Sequence, residues 1–174
     1  CAVRGKSEEK LYSYLGRLAA LKKRRPVLIG VAGCVAQIYR ENLLRRRPFV
    51  DFVVGPDNYR EIADIAAKAA AGPCLATGRR RAWQEFGPGQ ILRESASSAF
   101  VTVMEGCDKF CAYCVVPFAR GREKSRPLED VLREVRELAA AGYREIQFLG
   151  QNVNSYRDPG SGRGLADLLD EACR

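Results

Sequence analysis

The first half of the chain arranges its apolar residues in two patterns. Residues 7–23 carry leucines at helical spacing behind a serine that can cap the first turn, and this pattern predicts a helix. Two short continuous apolar runs follow, VLIGVAG at 27–33 and DFVVG at 51–55. Continuous runs of this length are typical of strands that are buried on both faces of a parallel sheet.

Helices are predicted between and after these strands. One begins at Cys34 and extends to about Arg47, and another is predicted after Asn58, which is followed three residues later by a glutamate, as in a capping box. Strand and helix therefore alternate, which favours an α/β domain with a parallel sheet over residues 1–72. Residues 73–97 are rich in glycine, serine and arginine and lack periodicity, so we interpret them as a linker.

A second domain is predicted over residues 98–174. The segment AFVTVMEG is interpreted as a strand, residues 127–142 are the clearest amphipathic helix, with Gly142 suited to end it, and REIQFLG at 144–150 is the next strand. This βαβ unit predicts a site where the loops after its two strands meet, since ligands bind at the carboxyl ends of parallel strands. The chain ends within a further helix, so we expect a fragment that holds only the start of a larger barrel.

Three cysteines directly follow the first strand of this second domain. Cys107, Cys111 and Cys114, in the run GCDKFCAYC, have the spacing Cys-x-x-x-Cys-x-x-Cys. Thiolates are soft ligands, and three of them on one loop can hold three irons of a [4Fe–4S] cluster. The fourth iron then stays open and can bind S-adenosylmethionine (SAM) through its amino and carboxylate groups.

A structural zinc site is the alternative for this triplet. It would require a fourth ligand. In a chain without histidine, that ligand would be a carboxylate or one of Cys1, Cys34, Cys74 and Cys173. A disulfide framework is less compatible with the sequence, because seven cysteines is an odd number and no secretory signal is recognisable.

The chain is basic, with a formal net charge of +8. Its Lys and Arg residues form blocks at 22–25, 45–47 and 79–81. Such blocks can neutralise the phosphates of a folded RNA, but they are equally compatible with solvated helix ends. No apolar run reaches the length of a membrane span, so we expect a soluble, cytoplasmic protein with no membrane partner.

The run GCDKFCAYCVVPFARGREKSRP, followed after one helix by REIQFLGQNVNSY, resembles the radical-SAM core of the methylthiotransferases. The segments CAVRGKSEEKLYSYLGRL and GVAGCVAQ resemble the N-terminal domain of the same family. The resemblance implies a truncated N-terminal methylthiotransferase domain, followed by the first βα units of a TIM-like radical-SAM partial barrel. Within the family, the sequence is most similar to the enzymes that act on isopentenyladenosine in tRNA.

The resemblance also implies two [4Fe–4S] clusters. Cys107, Cys111 and Cys114 would hold the cluster that reduces SAM. Cys1 and Cys34 would be two of the three ligands of an auxiliary cluster, whose remaining cysteine is expected upstream of the chain. Cys74 and Cys173 match no ligand of the family and are interpreted as ordinary thiols.

Four further residues take roles in SAM binding by the same resemblance. Tyr113 would lie near the adenine, and Gln151 and Asn152 would receive the amino group. Arg126, together with its neighbours Arg120 and Arg122, would hold the SAM carboxylate or a tRNA phosphate, because guanidinium suits both. Loop packing for Tyr113 and a solvated charged loop for the arginines remain open alternatives.

The implied reaction converts N6-isopentenyladenosine at position 37 of tRNA into its 2-methylthio derivative. One SAM supplies a methyl group to sulfur at the auxiliary cluster, and a second SAM is cleaved reductively. The implied partners are tRNA and an electron donor such as flavodoxin or ferredoxin, and the protein is expected to be a monomer. The isolated chain is predicted to be inactive, since part of the barrel and one cysteine ligand are expected outside it.

Two alternatives remain open for the activity. Sister methylthiotransferases modify N6-threonylcarbamoyladenosine of tRNA or an aspartate of a ribosomal protein, and the segments quoted above only favour the isopentenyladenosine enzyme. A non-catalytic, zinc-stabilised RNA-binding module would explain the basic blocks and some of the cysteines. It would not explain why the triplet follows a strand and lacks a nearby fourth thiol.

Overall fold

The chain forms two compact units in the computed structural model, which describes residues 2, 5–84, 91–93 and 95–174. Unit 1 comprises Cys1–Arg80 and Phe110–Arg120, and unit 2 comprises Arg81–Lys109 and Gly121–Arg174. Both units combine helices with parallel strands, which confirms the predicted mixed α/β class. The segment 110–120, which the sequence analysis placed in the second domain, makes its contacts with unit 1.

Unit 1 is built on a three-stranded parallel sheet of order β1-β2-β3. In chain order, its elements are α1 (Gly5–Lys22), β1 (Gly30–Ala32), α2 (Cys34–Tyr39), α3 (Glu41–Arg46), β2 (Phe52–Val54), a 3-10 helix (Pro56–Glu61), α4 (Ile62–Ala69), β3 (Cys74–Ala76) and α5 (Val116–Arg120). Val31 on β1 pairs with Val53 on β2, and both are buried together with Leu15 of α1 and Leu43 of α3. This cluster is the core beneath the sheet.

The strand β3 lies inside the segment that the sequence analysis interpreted as a linker. It is only three residues long and follows Gly72 and Pro73, which are turn residues, so its own pattern is too short to predict a strand. Pairing with β2 creates it, because Cys74, Leu75 and Ala76 complete the hydrogen bonding of an otherwise open edge.

The predicted helices of unit 1 need two corrections. The single helix expected from Cys34 to about Arg47 is two helices, interrupted at Arg40, whose φ of 46° lies in the left-handed region and breaks the helical ladder. Asn58 does not cap a helix, since it is buried inside the 3-10 helix that begins at Pro56. Proline fixes a helical φ at that earlier position, and α4 then begins without a side-chain cap.

Unit 2 contains a parallel pair of strands and a separate antiparallel pair. Its elements are β4 (Ser98–Thr102), β5 (Met104–Glu105), β6 (Lys124–Ser125), α6 (Leu128–Ala140), β7 (Glu145–Leu149), a 3-10 helix (Val153–Ser155) and α7 (Leu165–Ala172). β4 and β7 are parallel, with α6 between them in the chain, and form the predicted βαβ unit. The strand predicted over AFVTVMEG divides after Thr102 into β4 and β5, because its second part pairs with β6 instead.

Helix α6 packs its apolar stripe on β4 and β7 and ends as predicted. Gly142 has a φ of 91°, its N–H donates to the carbonyl of Ala139 at 3.0 Å, and the N–H of Tyr143 donates to the carbonyl of Leu138 at 3.0 Å. These two bonds form a Schellman motif, which requires a residue that tolerates positive φ. The motif therefore leads the chain into β7, and the loop after β7 contributes to the candidate site.

Candidate metal centre

The base of the cysteine loop is an antiparallel stem in unit 2. Glu105 on β5 pairs with Lys124 on β6, and the N–H of Cys107 donates to the carbonyl of Gly121 at 3.2 Å. Gly106 has a φ of 80°, and a Cβ at this position would lie 2.1 Å from the carbonyl oxygen of Arg122. Only glycine therefore allows the two sides of the stem to approach this closely.

Two carboxylates hold the same stem together through reciprocal hydrogen bonds. The N–H of Glu123 donates to Asp108 Oδ1 at 3.1 Å, and the N–H of Asp108 donates to Glu123 Oε1 at 3.3 Å. Arg122 adds an ion pair, with 2.9 Å between its Nε and Asp108 Oδ1. Asp108 and Glu123 are not recognisable as partners from the sequence, because the whole loop separates them and no short motif joins them.

The three cysteines of the triplet are free thiols. Cys107 and Cys114 are half-buried and Cys111 is exposed, and the N–H of Cys114 donates to the carbonyl of Cys111 at 2.9 Å in a tight turn. In the part of the chain that the structure describes, no three Cys, Asp or Glu side chains are already gathered closely enough to hold a metal ion. The donor set itself fits an iron–sulfur cluster, because it offers three unpaired thiols on a short segment with a tightly closed base.

Two aromatic rings of the triplet segment are exposed. Tyr113 is 93% exposed and Phe110 is 51% exposed, and Phe110 adopts a left-handed φ of 47°. Exposed rings of this kind offer a stacking face for an adenine, as predicted for Tyr113. The role of Tyr113 beside an adenine stays a prediction, and loop packing stays its alternative.

The loop after β7 meets the cysteine loop, as the sequence analysis expected for two loops at the carboxyl ends of parallel strands. Gln151 Oε1 accepts a hydrogen bond from the N–H of Gly106 at 2.6 Å. Asn152 Nδ2 lies 3.4 Å from Glu123 Oε1 and also donates to the hydroxyl of Ser155. Both predicted residues therefore lie at the base of the cysteine loop, where their amides hold its backbone and its carboxylates.

Arg126 has a different environment from the other predicted site residues. Its guanidinium is buried, forms an ion pair with Glu134 and donates to the carbonyl of Asp130 at 3.1 Å, both on α6. Its own carbonyl accepts a hydrogen bond from the hydroxyl of Tyr156 at 3.0 Å. These contacts attach the end of β6 to α6, and the role of Arg126 in SAM or phosphate binding stays a prediction.

The carboxyl edge of the unit 1 sheet gathers a second group of polar residues. Cys34 follows β1 and is a half-buried free thiol, Asp57 and Asn58 follow β2, and Thr77 follows β3. Gln37 Nε2 donates to the carbonyl of Thr77 at 3.0 Å. Among the residues that the structure describes, the buried side-chain carbonyl oxygens of Gln37 and Asn58 find no hydrogen-bond partner, although buried acceptors normally have one.

This edge fits the predicted auxiliary site only in part. Cys34 supplies one soft ligand at this edge, and Gln37 and Asn58 add buried polar side chains to it. Cys1, the other predicted ligand in the chain, lies outside the described residues. Sequence reasoning did not identify Gln37 as a site residue, although its place in GVAGCVAQ could have drawn attention to it.

Some residues of the basic blocks make ion-pair or cation–π contacts within unit 1. Lys22 Nζ bonds both carboxylate oxygens of Asp51 at 2.5 Å, and the guanidinium carbon of Arg47 lies 5.3 Å from the centre of the Tyr12 ring. Intramolecular contacts thus account for some of the positive charge, whereas Arg45 and Arg46 are exposed and adjacent. Among the described helices, none combines the length and the apolar character that a bilayer span requires.

Comparison with protein families gives one match in each part of the chain. Residues 1–55 match the family described as Uncharacterized protein family UPF0004, and residues 101–169 match the Radical SAM superfamily. The chain thus contains a UPF0004 match followed by a match to the start of a Radical SAM domain. This confirms the resemblance that the cysteine triplet and the N-terminal segments indicated.

Curated relatives match over the whole chain. The proteins named tRNA-2-methylthio-N(6)-dimethylallyladenosine synthase from Thermotoga petrophila, Chlorobium luteolum and Ruegeria pomeroyi are 48%, 49% and 48% identical to it, over 100%, 98% and 98% of the chain. The chain spans 39%, 38% and 40% of the length of these three relatives.

Proposed function

We propose that the protein of which this chain is part is a radical-SAM methylthiotransferase. Its substrate is N6-isopentenyladenosine at position 37 of tRNA, and its product is the 2-methylthio derivative. The observation that carries the proposal is the cysteine triplet on a loop whose base is closed by Gly106, Gln151 and the Asp108–Glu123 pair. The names of the curated relatives, at about half identity over the whole chain, support the substrate.

The proposed ligands are divided between two clusters. Cys107, Cys111 and Cys114 hold the SAM-reducing [4Fe–4S] cluster, and Cys34, Cys1 and a cysteine outside the chain hold the auxiliary one. When bound, an open iron cluster and SAM supply the radical chemistry that the protein itself lacks. The chain's own residues position these groups.

In this proposal, Tyr113 stacks on the adenine of SAM, and Gln151 and Asn152 lie where its amino group is received. Gln151 also holds the backbone of Gly106, so it would couple the position of SAM to that of the first cysteine. tRNA, SAM and an electron donor such as flavodoxin or ferredoxin are the proposed partners of a cytoplasmic monomer. The chain on its own is proposed to be inactive.

Deletion of the parent gene, followed by mass spectrometry of nucleosides from total tRNA, tests the proposal. We expect the loss of 2-methylthio-N6-isopentenyladenosine and the accumulation of its unmethylthiolated precursor. Complementation with the wild-type gene should restore the nucleoside, and complementation with Cys107→Ser should not.

Other outcomes of the deletion identify the alternatives. If only the threonylcarbamoyl nucleoside loses its methylthio group, the reaction class holds and the substrate is wrong. If no methylthio group in tRNA changes, the proposed function is overturned. The ribosomal-protein enzyme or the zinc-stabilised module then becomes the better explanation.

A further inference from the structure

Arg79 follows β3 at the carboxyl edge of the unit 1 sheet, and its side chain reaches helix α5. Its Nη1 donates to the carbonyl of Ala119 at 3.0 Å, and its Nη2 donates to the carbonyl of Phe118. These carbonyls belong to the last turn of α5, where the helix supplies no further N–H groups. A planar guanidinium is suited to two neighbouring acceptors at once, because its donors are held in a rigid fork.

The same guanidinium faces a buried carboxylate of the sheet edge. Arg79 Nη1 lies 3.8 Å from Oδ2 of Asp57, whose side chain is only 3% exposed. Asp57 Oδ2 also accepts a hydrogen bond from the N–H of Arg80 at 3.3 Å, which fixes the backbone next to Arg79. Arg79 is thus held from the sheet side by Asp57 and from the loop side by α5.

Helix α5 connects this contact to the predicted cluster ligands. Cys114 stands two residues before α5 begins, and its N–H is bonded to the carbonyl of Cys111 in the turn described above. Helix α2, which begins at Cys34, packs on α5 within the same unit. A displacement of α5 would therefore move Cys111 and Cys114 relative to Cys34.

We infer that Arg79 is a positioning residue that fixes α5, and with it the Cys111–Cys114 turn, against the sheet edge that carries Cys34. The two segments bear ligands of the two proposed clusters, so Arg79 sets the arrangement in which both can act on one substrate. The contact itself is a property of unit 1. Only its consequence for catalysis rests on the proposed function.

Hydrogen–deuterium exchange on the full-length parent protein tests the contact directly. In Arg79→Met, which removes both hydrogen bonds, we expect the amides of α5 to exchange at least tenfold faster than in the wild type, since the loss of even one charge-assisted hydrogen bond corresponds to about that factor. Arg79→Lys keeps the charge and can donate to the same carbonyls, so we expect an intermediate rate. Exchange in α6, which lies in unit 2, should not change.

Arg80→Met is the matched control for this experiment. It removes a neighbouring guanidinium of the same charge, which forms a partly solvent-exposed ion pair with Glu61, whereas the hydrogen bonds to the carbonyls of α5 named above come from Arg79. We expect wild-type exchange in α5 for this variant. Equal exchange of α5 in Arg79→Met and Arg80→Met would overturn the inference, and the Lys variant keeps the test decisive if the Met variant fails to fold.

The catalytic consequence needs a separate measurement on the reconstituted parent protein. We expect Arg79→Met to keep its iron content and to cleave SAM, but to form about tenfold less methylthio product per SAM cleaved, with partial rescue by Arg79→Lys. An unchanged ratio would overturn the positioning role. If the wild-type protein forms no methylthio product, the proposed function fails. The exchange experiment still tests whether Arg79 holds α5.

Discussion

Single residues with no reactive chemistry shape the candidate metal centre. Gly106 lets the two sides of the stem meet, and Gln151 holds the N–H of the same glycine. Neither residue is a metal ligand, but both contacts determine the position of Cys107, the first cysteine of the loop. At this scale, backbone conformation and one side-chain acceptor matter as much as the thiols.

The substitution Gly106→Ala tests the steric requirement of the stem. Its Cβ would overlap the carbonyl of Arg122 at a φ of 80°, so we expect unit 2 to lose about 2 kcal/mol of stability. Urea denaturation measures this loss. Gly16→Ala is the control, since nothing lies within 4 Å of its Cβ and α1 should gain up to about 1 kcal/mol. Equal effects of the two substitutions would contradict the proposed role of Gly106.

The substitution Tyr156→Phe tests a buried hydroxyl. Tyr156 is 1% exposed and donates to the carbonyl of Arg126, and burial, with a smaller contribution from Asp158, raises its pKa to about 12. Because the folded pKa exceeds the unfolded value of 10.0, this stabilisation is complete below pH 10 and is lost as the pH rises through 12.

We therefore expect Tyr156→Phe to cost about 1 kcal/mol below pH 10 and to flatten the fall in stability between pH 10 and 12. Denaturation curves at a series of pH values measure both effects. Tyr14→Phe, at an exposed site, should match the wild type. A Phe variant whose stability falls with pH as steeply as that of the wild type would exclude this role for Tyr156.

At the scale of elements, distant residues supply what the local sequence lacks. Helix α6 begins after Pro127, which has no side-chain acceptor for the first N–H groups. Asp158 supplies one from the loop after β7, since its Oδ1 accepts the N–H of Leu128 at 2.8 Å. Its Oδ2 accepts both the N–H and the hydroxyl of Ser161 at 2.6 Å. The Asp158 carboxylate thus accepts a hydrogen bond from the N-terminus of α6 and also stabilises the turn at Ser161.

Asp158→Ala should destabilise unit 2 by about 2 kcal/mol, because the N-terminus of α6 and the Ser161 turn both lose their acceptor. Thermal unfolding with and without the substitution measures the change. Asp170→Ala is the control, since its ion pair with Arg174 is largely exposed and its removal should shift stability by less than about 0.5 kcal/mol. A similar small shift for both variants would show that the contacts of Asp158 contribute little.

At the scale of the whole molecule, the chain places candidate thiol ligands directly after two strands, one in each unit. Cys34 follows β1 in unit 1, and the triplet begins directly after β5 in unit 2. Cys74 instead begins β3, and its thiol sulfur is 3.5 Å from the carbonyl oxygen of Gly72. Position in the fold therefore separates the candidate ligands from this other cysteine.

The iron content of the reconstituted parent protein tests this separation. Cys111→Ser should remove about half of the iron, since one of the two proposed four-iron clusters would lose a ligand. Cys74→Ser should retain all of it. The same preparations should be brown and bleach on reduction, whereas a zinc protein would be colourless. Full iron in Cys111→Ser, or zinc in place of iron, would contradict the proposed ligand set.

The sequence by itself determined the α/β class, the triplet, helix α6 with its Gly142 end, and the family, because these depend on local periodicity, turn residues and contiguous motifs. Tertiary structure determined the features that local sequence patterns do not encode. Strand β3 exists through its pairing with β2, and the helix after Cys34 breaks at Arg40 where the chain turns. The Asp108–Glu123 pair and the contacts of Arg79 join residues 15 and about 40 positions apart. Hydrogen bonds between such distant residues form only once the sheets have brought their ends together, so no window of sequence contains them.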